Sequence, residues 1–425
     1  MLYFLYGGLR MKKLFLILLI FLCAVSLFAK GVQERKLTIL YSGPNPPAYP
    51  KSQWEDSVEK VMAKFPGLTV EFQKIDLSTG APVTMDTLIA SGMAPDIYND
   101  AMVRLSRYII PEFALPLDEY MDLQGYLGIE PLTKGGKVLA LPHSGSAQAL
   151  CLNLDLLDKV GYKVPDNWTL DDFLEMCAKV KAYSDKTGED VYGTGLFAGN
   201  QSGDYLWMNW FAVFGVKLYD ADFTESTQVK GGEKVWAFFK MLKDKGYVQA
   251  NSAALNDDDY ALDWSKGKFA ATAFFPSWNG VYFKSAMEQG LIKAPHRYVY
   301  VAFPNKAPSA TSYSGFVINK NSKEREAAVE LVRLMTTVEK DSERVRIEGL
   351  IAYREGSTAK PNDPHVAEVD SVVKANGLYD LGVSNSWFSE VRAQGFPILQ
   401  AVLNGKLTPA QAAVEYSKKV NEIIK

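Results

Sequence analysis

Cysteine and histidine are scarce in this chain, which has three of each among its 425 residues. The three histidines, His143, His296 and His365, are far apart in the sequence, so a histidine cluster for a metal ion is not expected. Cys151 and Cys177 fall on a predicted strand and a predicted helix face. We therefore expect two buried free thiols, no metal site and no cofactor.

Basic residues also give no excess of positive charge. The 46 Lys and Arg residues stand against 49 Asp and Glu residues, a formal net charge of −3. This balance argues against nucleic acid or an anionic membrane surface as the main partner. The sequence has neither a G-x-S-x-G nucleophile elbow nor a G-x-x-x-x-G-K-[ST] phosphate loop, so neither of those enzyme classes is indicated.

Residues 1–29 are predicted to be a signal peptide. Lys12-Lys13 forms a charged region, residues 14–22 are an unbroken apolar run, and small and apolar residues continue to Ala29. The run has the length of a signal core and is short for a membrane span. Two fates stay open: cleavage near Ala29 releases an exported protein, and lipidation of Cys23 anchors it to a membrane.

Strands and helices alternate along the chain, which predicts an α/β protein. Residues 37–41 and 68–75 read as strands with a helix between them, a parallel βαβ unit. Residues 116–120 are expected to begin a surface helix, and residues 167–183 form a helix with Thr169 as its N-cap. Residues 269–275 are predicted to be a buried strand, and Thr408-Pro409 introduces a last helix over residues 407–424. A chain of this length exceeds one comfortable core, so two lobes are expected.

Polar residues follow one predicted strand directly. A helix ends near Gly92, which can adopt the left-handed backbone that closes a helix, and Pro95 then leads into a short strand. Ligands of α/β sheets bind at the carboxyl ends of strands. Asn99, Asp100 and the following Arg104 are therefore candidate ligand contacts, with a solvated loop or helix start as the alternative.

Several short motifs occur together in one order. They are LIASGMAPDI within residues 85–100, the segments 137–142 and 152–157 with Gly161, the helix start at 168–173, residues 267–271 followed by Trp278, and residues 405–409 with Ala412. In these motifs the chain resembles the extracellular solute-binding proteins of ABC importers, sugar-binding type, the family of maltose-binding protein and its relatives.

That resemblance implies the α/β two-lobe periplasmic binding protein fold (type II), with an interlobe ligand cleft and three hinge crossings. The crossings fall near Pro142-His143, near Pro304 and after Ser342. The small residues of His143-Ser144-Gly145-Ser146 suit a hinge at the first of them. The implied lobes are discontinuous: lobe 1 takes residues 36–142 and 305–342, and lobe 2 takes residues 143–304 and 343–425.

The resemblance also implies which residues contact a sugar. Aromatic faces cover sugar C–H groups, and side chains with paired donors or acceptors bind the hydroxyls. Trp278 is the leading candidate, with packing between lobes as its alternative, and Asn279 is its hydrogen-bonding neighbour. The other candidates, each with a packing or solvated alternative, are Asp204 and Tyr205 at a helix start, Trp387 and Arg392 in a late pair, and Ser42 and Asn45 in a proline-rich loop. Asp100 stands where maltose binders of the family carry a tryptophan.

The sequence therefore predicts an exported, periplasmic or extracytoplasmic monomer that captures a sugar or oligosaccharide and delivers it to a membrane ABC permease. The alternatives are a binding protein for another polar solute, such as glycerol phosphate or a peptide, and a secreted carbohydrate-active enzyme. A glycosidase would need two acids at a defined separation, and no pair stands out. Residues 256–259, an Asn followed by three Asp, lack the glycine and distal glutamate of an EF-hand loop and are interpreted as a solvated helix start.

Overall fold

The computed structural model describes residues 35–41, 51–74, 81–200, 204–348, 351–357 and 363–425. The predicted signal peptide, Cys23, Ser42 and Asn45 lie outside these residues. The described residues form two compact units. The first joins the described part of Met1–Ile97 to Asn321–Met335, and the second comprises Tyr98–Lys320 and Thr336–Lys425. The lobe boundaries expected from the sequence stay a prediction.

Strands and helices alternate through both units, as expected for an α/β protein. In the described residues the strands are β1 (Arg35–Tyr41), β2 (Leu68–Lys74), β3 (Ile97–Ala101), β4 (Thr133–Lys134), β5 (Lys137–Val138), β6 (Leu141–Ala147), β7 (Ala149–Asn153), β8 (Tyr192–Thr194), β9 (Phe269–Phe274), β10 (Tyr298–Val301), β11 (Ser309–Ile318) and β12 (Leu378–Tyr379). The helices are α1 (Lys51–Lys64), α2 (Ala81–Ala90), α3 (Met102–Leu105), α4 (Leu154–Lys159), α5 (Leu170–Thr187), α6 (Asp204–Val213), α7 (Gly232–Asp244), α8 (Asp257–Ser265), α9 (Pro276–Glu288), α10 (Arg325–Met335), α11 (Val338–Glu348), α12 (Pro364–Asn376), α13 (Phe388–Leu403) and α14 (Pro409–Ile424). None of these helices is long and apolar enough to cross a membrane.

The first unit is built on the βαβ element that the sequence predicts. Strands β1 and β2 pair in parallel, and Leu37 and Ile39 of β1 are fully buried. The carboxylate of Asp96 accepts hydrogen bonds from the Thr38 backbone N–H (2.7 Å) and the Ser322 hydroxyl (2.6 Å). Gly92 has a φ of +73°, the left-handed conformation expected after α2. Asp96 therefore joins separate segments of this unit.

In the second unit, β6 and β11 form a long antiparallel pair with a bulge between Ser314 and Gly315. The predicted hinge segment, residues 143–146, lies in β6. A Cβ at Gly145 would stand 2.3 Å from the hydroxyl of Tyr353, so only glycine fits there without a shift. Gly145 thus leaves room for the buried side chain of Tyr353. Its role as a hinge stays a prediction.

A second sheet of this unit has the strand order β10-β7-β9-β8. Every residue of β9 is buried, in agreement with the buried strand predicted at residues 269–275. Cys151 lies in β7 and Cys177 in α5, and both thiols are buried and free, as predicted. Burial raises the pKa of both thiols well above the ordinary value, so both stay protonated and unreactive.

One predicted helix is wrong. Residues 116–120 form only a short 3-10 turn, Leu117–Glu119, and not the start of a surface helix. Leu117 is fully buried, and the Asp118 carboxylate accepts a hydrogen bond from the Val138 backbone N–H at 3.1 Å. These tertiary contacts hold the turn against β5 and stop the helix. The α5 prediction is confirmed, because Thr169 and Asp172 form a capping box at its start.

Candidate functional site

A small recess, called the cavity below, lies within the second unit. It is bounded by the segment before β7 and by parts of α6, α8, β9 and α9. Its lining residues are mostly aromatic or apolar, with a single charged side chain among them: Gln148, Phe197, Leu206, Asp257, Tyr260, Ala273, Phe274 and Tyr282. Such a mixture is typical of a small-molecule site.

Aromatic rings make one continuous wall of this cavity. The ring centroids are 4.8 Å apart for Phe197 and Tyr260, 5.4 Å for Tyr260 and Phe274, and 5.5 Å for Phe274 and Tyr282. Burial raises the pKa of Tyr260 well above the ordinary value of a phenol. Burial, followed by the charges of Asp257 and Asp258, raises the pKa of Tyr282 to about 12. Both phenols are therefore neutral at physiological pH and can donate or accept a hydrogen bond.

The Tyr260 hydroxyl has an unmet hydrogen-bonding capacity. Tyr260 is 1% exposed, and its hydroxyl has no hydrogen-bond partner among the described residues. A buried hydroxyl without a partner costs free energy, about 1–3 kcal/mol by mutational data. A water molecule or other polar group beside this hydroxyl would remove the cost.

The side chain of Gln148 is held in place by a hydrogen bond to Asn209. Its Oε1 accepts a hydrogen bond from Asn209 Nδ2 at 2.5 Å, and Asn209 Oδ1 accepts one from the Ala310 backbone N–H at 2.8 Å. Gln148 itself is 2% exposed and directly precedes β7. With its oxygen engaged, the amide nitrogen is the donor that Gln148 retains for a ligand.

Asp257 supplies the charge of the cavity. It is the first residue of α8, whose N-cap Asn256 accepts a hydrogen bond from the Asp259 backbone N–H. Asn200 Nδ2 donates to Asp257 Oδ1 at 2.7 Å, and no described Lys or Arg forms an ion pair with Asp257. Burial, together with Asp257 and Asp259, raises the pKa of Asp258. Negative charge is therefore concentrated at the start of α8.

Asp257 is a functional candidate that the sequence interpretation missed. Asp258 and Asp259 are exposed, in agreement with a solvated helix start, but Asp257 is half-buried and lines the cavity. The helical spacing could have indicated the burial of Asp257. Tyr260, Ala261 and Trp264 lie three, four and seven residues further on, on the same face of the helix, and all are buried. The predicted helix start is confirmed, and Asp257 is solvated only in part.

Two of the sequence-predicted segments come together at this cavity. Asp204 and Tyr205 open α6 immediately before the lining residue Leu206. Trp278 lies in the first turn of α9, between the lining residues Phe274 and Tyr282. Segments of α6 and α9 that are far apart in the sequence thus line one cavity. The side chains of Asp204, Tyr205 and Trp278 lie outside the described part of the structure, and their ligand contacts stay predictions.

Asn279 has internal partners. It is fully buried, its Oδ1 accepts a hydrogen bond from Trp264 Nε1 at 2.7 Å, and its Nδ2 lies 3.5 Å from Cys151 Sγ. Its amide therefore ties α9 to α8 and β7. Its role in ligand binding stays a prediction.

Asn99, Asp100 and Arg104 also make internal contacts. The Asp100 carboxylate accepts hydrogen bonds from the Tyr98 hydroxyl (2.6 Å) and from Arg104 Nε (2.8 Å). Asn99 Nδ2 lies 2.6 Å from His143 Nε2 and 3.0 Å from the Gly315 carbonyl oxygen. The Asn99 contacts connect β3 to β6 and β11, whereas the Asp100 bonds stay within β3 and α3. The three residues are not among those that line the cavity, and their ligand contacts stay predictions.

The late pair, Trp387 and Arg392, lies elsewhere in the second unit. Trp387 is half-buried, and its ring centroid stands 5.1 Å from that of Tyr219. Arg392 is 6% exposed within α13. Neither residue lines the cavity. Among the residues that the structure describes, no group of three or more His, Cys, Asp or Glu side chains could hold a metal ion.

The family model for bacterial extracellular solute-binding proteins matches residues 49–341 of this chain. The chain belongs to this family. A binding protein of Brucella abortus (strain 2308) is 26% identical to this chain over 223 residues. The aligned residues are 51% of this chain and 52% of the relative. A binding protein of Brucella suis biovar 1 (strain 1330) matches to the same extent. The match thus spans about half the length of these curated relatives.

Solved structures share the fold of this solute-binding protein. An ABC substrate-binding protein of Listeria monocytogenes, in complex with cycloalternan, has a TM-score of 0.71 at 18% identity over 92% of this chain and 99% of that one. A solute-binding protein of Thermotoga lettingae bound to α-D-tagatose has a TM-score of 0.71 at 18% identity, over 92% of this chain and 100% of that one. The GacH receptor of Streptomyces glaucescens, solved unliganded and with acarbose, has a TM-score of 0.71 at 18% identity, over 92% of this chain and 98% of that one. The predicted α/β periplasmic binding protein fold is confirmed.

Proposed function

We propose that this solute-binding protein captures a sugar or oligosaccharide and delivers it to a membrane ABC permease. The match to the extracellular solute-binding family is the observation that carries the proposal, and the candidate place for some of the ligand contacts is the cavity beside α6 and α9. This cavity combines an aromatic wall with an amide, a carboxylate and two phenols. Aromatic faces cover the C–H groups of a sugar ring, while the amide and carboxylate bind its hydroxyls.

The location and assembly of the protein follow from this proposal. Its family consists of extracellular proteins, so it acts outside the cytoplasm. Export by the segment 1–29, with cleavage near Ala29 or lipidation at Cys23, is part of the proposal, as are a monomeric state and a permease partner. The ligands of the structural relatives, cycloalternan, α-D-tagatose and acarbose, support a carbohydrate as cargo.

The lining residues disfavour the other functions considered. A phosphate ester needs Lys or Arg partners, and the charged residue among the eight that line the cavity is an acid, Asp257. A glycosidase needs two carboxyl groups across the scissile bond, and the cavity supplies one. Captured sugar is therefore expected to leave unchanged.

A thermal-shift screen tests the proposed function. A sugar or oligosaccharide is expected to raise the melting temperature, because a ligand at about a hundredfold its Kd stabilises the folded state by about 2.7 kcal/mol. Glycerol 3-phosphate and short peptides are expected to leave the melting temperature unchanged. A shift with phosphate or peptide alone contradicts the sugar assignment, and hydrolysis products on chromatography contradict the binding-protein assignment.

The cavity itself is tested with the best sugar from that screen. Tyr282→Ala removes one ring of the aromatic wall, and we expect it to weaken binding about tenfold by calorimetry. Val281→Ala is the matched control, since Val281 is the adjacent residue of α9, is 64% exposed and does not line the cavity. Equal affinities of the two variants would place the sugar elsewhere.

A further inference from the structure

One strained residue lies beside a predicted ligand contact. We propose that Phe223 is a positioning residue, which fixes the ring of Trp387 so that this ring stacks on the bound sugar. The inference rests on the proposed function and deepens it, because it adds a determinant of ligand binding outside the cavity. Both residues belong to the second unit.

Phe223 has an unfavourable backbone conformation. Its φ is +56°, in the left-handed region that glycine adopts readily and a bulky residue rarely occupies. Such conformations persist only where the surrounding structure enforces them, and they cluster at binding and active sites. The strain at Phe223 therefore indicates a role for the direction of its side chain.

The turn around Phe223 is enforced by Asp220. The Asp220 carboxylate accepts hydrogen bonds from the Thr224 hydroxyl (2.6 Å), the Thr224 backbone N–H (2.7 Å) and the Glu225 backbone N–H (3.0 Å). These bonds, with that of the Thr224 hydroxyl first, lower the pKa of Asp220, so its carboxylate is ionised at neutral pH. The turn is therefore held from both sides of Phe223.

The rings of Phe223 and Trp387 meet at Gly382. A Cβ at Gly382 would stand 3.2 Å from the Phe223 ring and 3.1 Å from the Trp387 ring, so both rings lie against the same backbone. Tyr219 completes the cluster, with ring centroids 5.7 Å from Phe223 and 5.1 Å from Trp387. Because Trp387 is only half-buried, this packing fixes the indole while part of its surface reaches solvent.

Other predicted ligand contacts lie next to the helix that follows Trp387. The Ser389 hydroxyl donates to the Val103 carbonyl oxygen at 2.7 Å, which joins the start of α13 to α3. Val103 directly precedes Arg104, whose guanidinium pairs with Asp100. The contact between α13 and α3 thus brings together predicted ligand contacts from two distant parts of the chain. An indole fixed beside them can cover the C–H face of a sugar.

Two substitutions of Phe223 separate the effect of the ring from that of the backbone. Phe223→Ala removes the ring and keeps the unfavourable φ, whereas Phe223→Gly removes the ring and relieves the backbone. We expect both variants to bind the best sugar of the thermal-shift screen about tenfold more weakly by calorimetry. The glycine variant is expected to melt at the higher temperature of the two. A purely structural residue would instead make the affinities follow the melting temperatures.

Two further variants serve as controls. Phe223→Tyr keeps the ring and is expected to keep the affinity. Phe65→Ala removes a half-buried ring of the first unit and is expected to bind the sugar as the unaltered protein does. If Phe223→Ala and Phe223→Gly bind with unaltered affinity, the inference is overturned and the proposed function stands.

A measurement on the unaltered protein does not depend on the folding of a Phe223 variant. In protein with isotope-labelled tryptophan, the indole N–H resonance of Trp387 is the one of eight that Trp387→Phe removes. We expect the sugar to shift this resonance. A sugar that binds and leaves the resonance unchanged overturns the inference alone. If no sugar binds while glycerol 3-phosphate or a peptide does, the proposed function fails together with the inference.

Discussion

Replacing Trp207 with alanine is expected to lower the free energy of unfolding by about 4 kcal/mol, the range seen for buried tryptophans. Trp207 on α6 is fully buried. Its ring centroid lies 5.5 Å from that of Trp236 and 6.1 Å from that of Tyr416, on α7 and α14. A Cβ at Gly395 would stand 2.3 Å from the Trp207 ring, so α13 packs directly on it as well. The truncation therefore opens a cavity where four helices meet.

Urea denaturation followed by circular dichroism measures this loss. Val414→Ala is the matched control, because Val414 lies on α14 and is 56% exposed. The control is expected to change the free energy of unfolding by less than about 0.5 kcal/mol. A loss below about 1.5 kcal/mol for Trp207→Ala contradicts this description of the helical core.

Lowering the pH from about 7 to about 5 is expected to destabilise the protein, by up to about 2 kcal/mol through His143 alone. His143 is 2% exposed, and its pKa is held well below the ordinary value by burial and then by the charge of Arg344. Asn99 Nδ2 donates to the Gly315 carbonyl oxygen, which orients the same NH2 group as a donor toward His143 Nε2. The imidazole is therefore neutral in the folded protein.

The direction of the effect follows from proton binding. Below about pH 6.5 the unfolded chain takes up a proton on this histidine and the folded chain does not, so stability is complete above that pH and falls as the pH decreases. His296, whose pKa burial lowers to about 4, adds an effect of the same sign. Denaturation at several pH values should show a smaller slope in His143→Gln than in the unaltered protein. An unchanged slope, or an imidazole resonance of His143 that titrates near pH 6.5, contradicts the assignment.

Local signals in the sequence were sufficient for much of the fold. Thr169 and Thr408 were correct markers of helix starts, because both form capping boxes that depend on a few neighbouring residues. The buried strand at β9 followed from its apolar run. The family followed from the order of motifs, and the match to the family model confirms it. The short turn at Leu117 was missed because a distant strand, β5, holds it.

The site was less predictable, because the direction of a side chain at a helix start depends on what packs there. Asn279 and Asp257 show the two possible outcomes. Asn279 looked available for a ligand but bonds to Trp264 and Cys151 inside the protein. Asp257 looked solvated but lines the cavity, since α8 turns that face toward Phe274 of β9. The predicted ligand contacts therefore stay predictions, since polarity in the sequence does not fix where a side chain points.

A crystal structure with the best sugar from the thermal-shift screen tests the central claim most directly. We predict that a sugar ring lies against Phe274 and Tyr282, within hydrogen-bond distance, about 3 Å, of the Asp257 carboxylate and the Gln148 amide. A sugar bound at another place in the protein, with this cavity left unoccupied, would contradict the account.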